Sequence, residues 1–195
     1  MLLNKDRALA LMEEHDLTAI IGTTLENVTY LTGHVGWAQR VYRSLQSYAV
    51  MTNIPEAGTD LILTRSDNTY YSAYAGYPER VYSYGGTAAV IFPEGFTPAN
   101  DEQRRFRELT ESGAQHKTIL DALLVALKAR GITRGRIALD NDGCPPALFD
   151  SLKKALPECE FMPGANLFLM IRLVKTPEEL DRLRAAAQIN EDAIS

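Results

Sequence analysis

The 195-residue chain has only three histidines, two cysteines and one tryptophan. His15, His34 and His116 lie far apart, and no HExxH, CxxC or EF-hand pattern occurs, so the sequence presents no metal site. Asp140-Asn141-Asp142-Gly143 begins like a calcium loop, but Cys144 stands at the fifth position and the distal glutamate is misplaced. There is no G-x-S-x-G elbow, P-loop or G-x-G-x-x-G turn. No basic block stands out, and the net charge is −5, which argues against nucleic acid and anionic membrane as partners. No apolar run approaches the roughly 18 residues of a membrane span. The opening MLLNKDRALALMEEHD carries charges inside its first apolar stretch, so it has no signal-peptide core. A soluble, cytoplasmic protein is expected. Asn27-Val28-Thr29 is then a chance glycosylation triplet, and Cys144 and Cys159 are expected as reduced thiols.

What is present is ordinary globular material, 46% hydrophobic and 23% charged. The spacing predicts a helix over 5–15, with Asn4 as N-cap and Ala8, Leu11 and Met12 on one face. Ala19-Ile20-Ile21 reads as a short buried strand, and Glu26 to Leu31 as a helical turn. Strands at 48–52 and 61–64 form a hairpin across a Pro55–Gly58 turn. A further apolar strand is expected at 87–92. The charged segment from Pro93 to Ser112 reads as a surface excursion with a short helix at most. His116 to Arg130 is strongly amphipathic and stops at Gly131. A strand follows at 136–140, then a helix opened by Pro145 and Pro146, a short strand at 160–162 and a helix from Ala165 to Leu173. Thr176, Pro177 and Glu179 form a capping-box start for the final helix. That helix carries Leu180, Leu183, Ala187 and Ile194 on one stripe and stops without Gly, Pro or a basic final turn; it reads either as a terminal helix that frays or as one leading into another domain. Alternating strands and helices indicate an α/β layer architecture, and the hairpin makes the sheet mixed.

Few residues present themselves for chemistry. Glu13-Glu14 reads as a solvated face, and Asp140, at a strand end, as a turn cap. The stretch from His34 to Ser47 combines Trp37, Arg40, Tyr42 and Arg43, flat apolar area beside fixed positive charge. Such a set suits recognition of a carboxylate or small polar substrate. His34, Trp37 and Arg40 are the candidate substrate-binding residues; the other reading is an ordinary surface loop with Trp37 tucked into the core. Residues 70–84 hold six of the nine tyrosines and form the candidate interface.

Three stretches resemble the N-terminal domain of the creatinase, prolidase and Xaa-Pro aminopeptidase group, the "pita-bread" metallohydrolases. The first is RALALMEEHDLTAIIGTTLENVTYLTG, ending in the family-like Asn27 to Gly33 segment. The second is the hairpin SYAVMTN and TDLILTR. The third is IRLVKTPEELDRLRAAAQI, with Arg172, Lys175, Thr176, Glu178, Glu179, Leu183 and Arg184 in place.

The resemblance implies a ribonuclease H-like mixed sheet flanked by helices. It places an N-terminal domain over 1–174 and a linker helix over 175–195, leading into a catalytic domain absent from this chain. The family's two divalent ions (Mn, Co or Zn) are held by that other domain, so no catalytic residue and no metal ligand carries over here. The implied roles are homodimerisation and shaping a pocket for a small peptide or small-molecule substrate. Two other readings stay open: a protein-binding module of the same fold, and the N-terminal domain of a creatinase-like C–N hydrolase.

Overall fold

The computed structural model describes residues 1–42, 46–74, 76–86, 90–111 and 116–194. Helix α1 (Lys5–Glu14) opens on Asn4, whose side chain accepts a hydrogen bond from the Arg7 N–H. Strand β1 (Leu17–Gly22) follows, then α2 (Leu25–Thr32), capped by the Thr24 hydroxyl and closed by Gly33 at φ +72°. A Cβ at Gly33 would sit 2.5 Å from the Tyr77 ring, so space and backbone both demand glycine there. A single turn, α3 (Trp37–Val41), precedes β2 (Tyr48–Thr52) and β3 (Asp60–Thr64), the expected antiparallel hairpin. Then come α4 (Asn68–Ala73), β4 (Arg80–Tyr84), α5 (Asp101–Glu111) and α6 (Ile119–Ala129). The chain continues through β5 (Gly135–Leu139), α7 (Pro146–Ala155), β6 (Cys159–Pro163), α8 (Ala165–Arg172) and α9 (Pro177–Ile194).

The six strands form one mixed sheet in the order β4-β3-β2-β1-β5-β6. β2 pairs antiparallel with β1 and β3, while β1–β5, β5–β6 and β3–β4 are parallel. Both faces are covered, so the central strands are apolar throughout rather than alternating. Side chains divide by strand period. Ala49 and Met51 of β2, Leu61 and Leu63 of β3 and Ala138 of β5 join a core with α1, α2 and α8. Tyr48, Val50, Ile62, Ile137 and Leu139 point the other way, onto Leu123 and Leu127 of α6 and Leu152 of α7. The result is a three-layer α/β/α domain. Cys144 and Cys159 are both free.

A buried ion pair bridges the end of α6 to the sheet. Arg130, at the C-cap of α6, donates through Nε to Asp60 Oδ2 at 2.9 Å and through Nη2 to Asp60 Oδ1, while Nη1 reaches Glu79 at 3.1 Å. Asp60 is fully buried and the Arg130 side chain nearly so. Burial pushes the Asp60 carboxyl above its ordinary range, against the pull of the guanidinium.

Two expectations need correction. The strand expected at 87–92 is not there over residues 90–92, which are irregular, with Ile91 85% exposed; residues 87–89 lie outside those described. The edge position is taken by β4, in parallel register with β3 from Asp60↔Arg80 to Thr64↔Tyr84. Apolar content is not enough for a strand; a free sheet edge decides. The Pro93–Ser112 excursion contains an eleven-residue helix, α5, that buries none of its residues. Local chemistry builds it: the Asn100 side chain accepts from the Gln103 N–H, and Asp101–Arg104 and Arg107–Glu111 pair along it.

At the other end, α9 starts with the expected reciprocal bonds between Thr176 and Glu179, at 2.9 and 3.2 Å. No residue of α9 is buried; Leu180 and Leu183 are exposed, as are Leu169, Leu173 and Val174 in and just after α8. Among the described residues no helix is long and apolar enough to cross a membrane.

Candidate functional site

The site lies where the chain leaves the C-terminal ends of the parallel pair β1 and β5, a place where α/β sheets form crevices. Asp140 anchors it. Its Oδ2 accepts from the Thr24 N–H (3.2 Å), the Thr24 hydroxyl (2.8 Å) and Asn27 Nδ2 (2.6 Å), and its Oδ1 from the Asp142 N–H (3.3 Å). A carboxylate that caps the turn after β5 thus also holds the first turn of α2. This is the capping role the sequence indicates, extended across the fold. Gly143 packs directly on Thr23: a Cβ there would meet the Thr23 carbonyl oxygen at 2.4 Å. The Asp-Asn-Asp-Gly run is a tight turn, and among the described residues no group of three or more His, Cys, Asp or Glu could hold a metal ion. The described residues therefore do not fit the metal pair that the family resemblance implies for the whole enzyme.

Helix α3 is bound to this frame by polar contacts. Gln39 Nε2 donates to the Thr23 carbonyl at 2.9 Å, and the Ala38 N–H donates to Asp67 Oδ1 at 2.8 Å. The Thr29 hydroxyl donates to the His34 carbonyl at 3.0 Å. The three sequence candidates then separate. His34 is fully buried, edge-on to Tyr70 and Tyr71, and neither ring nitrogen has a hydrogen-bond partner among the described residues. Burial lowers its pKa to about 4, so the ring is neutral at pH 7. It packs on Tyr70, the ring on which Trp37 stacks. Trp37 is 53% exposed and stacks on Tyr70 at 6.2 Å between ring centroids, with Tyr70 in turn 5.0 Å from Tyr74. Arg40 is exposed, and no hydrogen bond or ion pair engages its guanidinium among the described residues. Arg43 lies outside them.

Arg40 lines a cavity of about 450 Å³ with Thr24, Glu26, Gln39, Gln46 and Asp142. The cavity joins one cation to two carboxylates and two amides, a lining for a small, polar, dipolar molecule. Beneath α3, Gln39 Oε1, Ser47 Oγ and Asp67 Oδ2 are buried without partners among the described residues. Burial raises the Asp67 carboxyl's pKa, only partly offset by the Ala38 N–H. Sequence reading missed Gln39, Asp67 and the Asn27–Asp140 bond. A polar residue two positions past Trp37 was the only local signal for Gln39.

The tyrosine-rich stretch is divided as well. Tyr71 is buried and Tyr84 donates its hydroxyl to the Gln46 carbonyl, whereas Tyr74 and Tyr77 are 68% and 38% exposed. The Tyr77 hydroxyl accepts from the Leu2 N–H at 2.9 Å.

Comparison with known proteins decides the family. The model of the creatinase/prolidase N-terminal domain matches residues 5–174. The chain belongs to that family. Solved structures share its fold. A Bacillus anthracis Xaa-Pro dipeptidase superposes with a TM-score of 0.61 at 18% identity, over 97% of this chain and 41% of its own. A Thermotoga maritima X-Pro aminopeptidase gives 0.60 at 18% identity, over 97% and 42%. A Streptococcus pneumoniae proline dipeptidase gives 0.57 at 14%, over 89% of this chain and 99% of that one. This creatinase/prolidase N-terminal domain thus spans about two fifths of the first two relatives. No curated protein matches the chain in sequence.

Proposed function

We propose that the chain is the non-catalytic N-terminal domain of a metal-dependent Xaa-Pro peptidase of the prolidase or aminopeptidase P kind. The family match across residues 5–174 carries this reading, with solved relatives named as proline or Xaa-Pro peptidases that extend far beyond the shared part. The hydrolytic centre, with its two divalent ions, belongs to a C-terminal catalytic domain. This domain adds specificity and assembly. Trp37 and Arg40 contribute to the substrate pocket of a partner subunit, Trp37 as a flat wall for a ring and Arg40 as an anchor for a carboxylate or carbonyl. His34 holds the ring packing behind them. The exposed Trp37–Tyr70–Tyr74 row supplies part of a homodimer surface, since aromatic residues concentrate at interfaces. The exposed face of Leu173, Leu180 and Leu183 receives the catalytic domain.

Steady-state kinetics of the full-length protein test this reading. A lost charge-assisted hydrogen bond is worth about 1.5–3 kcal/mol. Arg40→Ala then raises KM roughly 10- to 100-fold with metal content unchanged. Wild-type kinetics in an Arg40→Ala, Trp37→Ala double variant would remove the loop from substrate binding.

A further inference from the structure

A second cavity, of about 310 Å³, adjoins the first and shares Leu25 and Glu26 with it. Its lining is divided by chemistry. Leu2, Leu25 and Val35 are half-buried apolar walls. Arg172, from the end of α8, brings a half-buried cation, with the guanidinium over the Tyr30 ring at 5.9 Å. Glu26 brings an exposed carboxylate with no hydrogen bond or ion pair among the described residues. Glu179 also lines the cavity, with its Oε2 accepting from the Thr176 N–H of the α9 cap.

The cation is held in place. Arg172 Nη1 donates to Asn27 Oδ1 at 3.2 Å, and Asn27 Nδ2 donates to Asp140 Oδ2 at 2.6 Å. Asp140 is itself fixed by Thr24 and by the Asp142 N–H. One donor of the guanidinium fork is thus committed and the ring face below is covered, while Nε and Nη2 have no partner among the described residues. A preorganised fork loses little freedom on meeting a carboxylate.

We propose that this cavity is a binding site for a free α-amino acid with a compact apolar side chain. The carboxylate takes the open donors of Arg172, the ammonium meets Glu26, and the side chain lies against Leu2, Leu25 and Val35. Charge complementarity selects the zwitterion. A peptide carries its ammonium and carboxylate on different residues, and a simple carboxylic acid lacks the ammonium. The volume lies at the lower end of the roughly 300–1,000 Å³ of ligand pockets, which favours a small ligand. The site shares Leu25 and Glu26 with the adjoining cavity but uses neither Trp37 nor Arg40, so the variants that test those two residues leave its Arg172 anchor in place.

Amide-resolved NMR titration of the chain with L-leucine tests the site. Saturable shifts are expected at Tyr30, Val35 and Arg172. L-leucinamide, without the carboxylate, and N-acetyl-L-leucine, without the ammonium, should each bind at least about 10-fold more weakly, the factor for one charge-assisted contact. Glycine, lacking the side chain, should also bind more weakly. Arg172→Gln should lose binding to a similar degree, and if that variant fails to fold the ligand series alone decides. Absence of saturable shifts at roughly 10 mM L-leucine, or equal binding of all four compounds, would overturn the proposal.

Discussion

Asn27 Nδ2 donates to Asp140 Oδ2 at 2.6 Å, joining the first turn of α2 to the end of β5 across 113 residues of sequence. Asn27 is 6% exposed and Asp140 1%, so water cannot replace the bond. Both cavities adjoin this link. Asp140→Ala leaves the Thr24 N–H, the Asn27 amide and the Asp142 N–H without their acceptor. The expected cost is about 3 kcal/mol or more, with Asn27→Ala costing about 2 kcal/mol, because hydrogen bonds to a charged group are each worth about 1.5–3 kcal/mol. Urea unfolding monitored by circular dichroism measures both.

The Asp60–Arg130 pair makes a second stability prediction. Removing one member leaves the other charge buried and unpaired, at a cost of about 3–5 kcal/mol. Arg130→Ala should therefore be strongly destabilising. An Asp60→Leu, Arg130→Met double variant should recover much of the loss, because no buried charge remains. Thermal unfolding of the two variants beside the wild type checks the difference.

His34 predicts a pH dependence. Its pKa is about 4 in the fold against an ordinary value of 6.5, so the unfolded chain binds the proton more tightly. The neutral ring's contribution is complete above pH 6.5 and is lost as the pH falls from 6.5 towards 4. The span corresponds to about 3 kcal/mol. His34→Phe keeps an aromatic ring against Tyr70 and Tyr71 but has no proton to bind. The wild-type stability minus that of His34→Phe should fall with acid over this window. A constant difference would show that the buried ring is not the group responsible.

The aromatic row predicts assembly. Tyr74 is 68% exposed and stands at the end of the Trp37–Tyr70–Tyr74 stack. Trp37→Ala with Tyr74→Ala should shift the full-length protein from dimer towards monomer in sedimentation velocity, with the circular dichroism spectrum unchanged. A dimer of unaltered stability would place the interface elsewhere.

Much of the fold was legible because its signals are local. Asn4 caps α1, Gly131 follows α6 at φ +73°, and the Thr176–Glu179 box starts α9, all readable within four residues. The buried strands announced themselves as apolar runs. What escaped was decided at a distance. Arg80–Tyr84 is half-exposed edge strand, and only its place beside β3 distinguishes it from the apolar 87–92 stretch. α5 buries no residue completely and carries only Phe106 and Leu109 as large apolar side chains, so its charged sequence hid it. At the site, Trp37 and Arg40 were visible by residue type, but the burial of His34 depends on Tyr70 and Tyr71, and Arg172 meets Asn27 across 145 residues. No spacing rule reaches that far.

The most direct test of the functional account is Xaa-Pro dipeptide hydrolysis by the purified 195-residue chain, with and without Mn²⁺, beside a calorimetric titration with the same ion. The account predicts no turnover and no stoichiometric micromolar metal site, because the chemistry resides in the catalytic domain. Mn²⁺-dependent turnover that co-purifies with the chain, or stoichiometric micromolar binding of the ion, would contradict it.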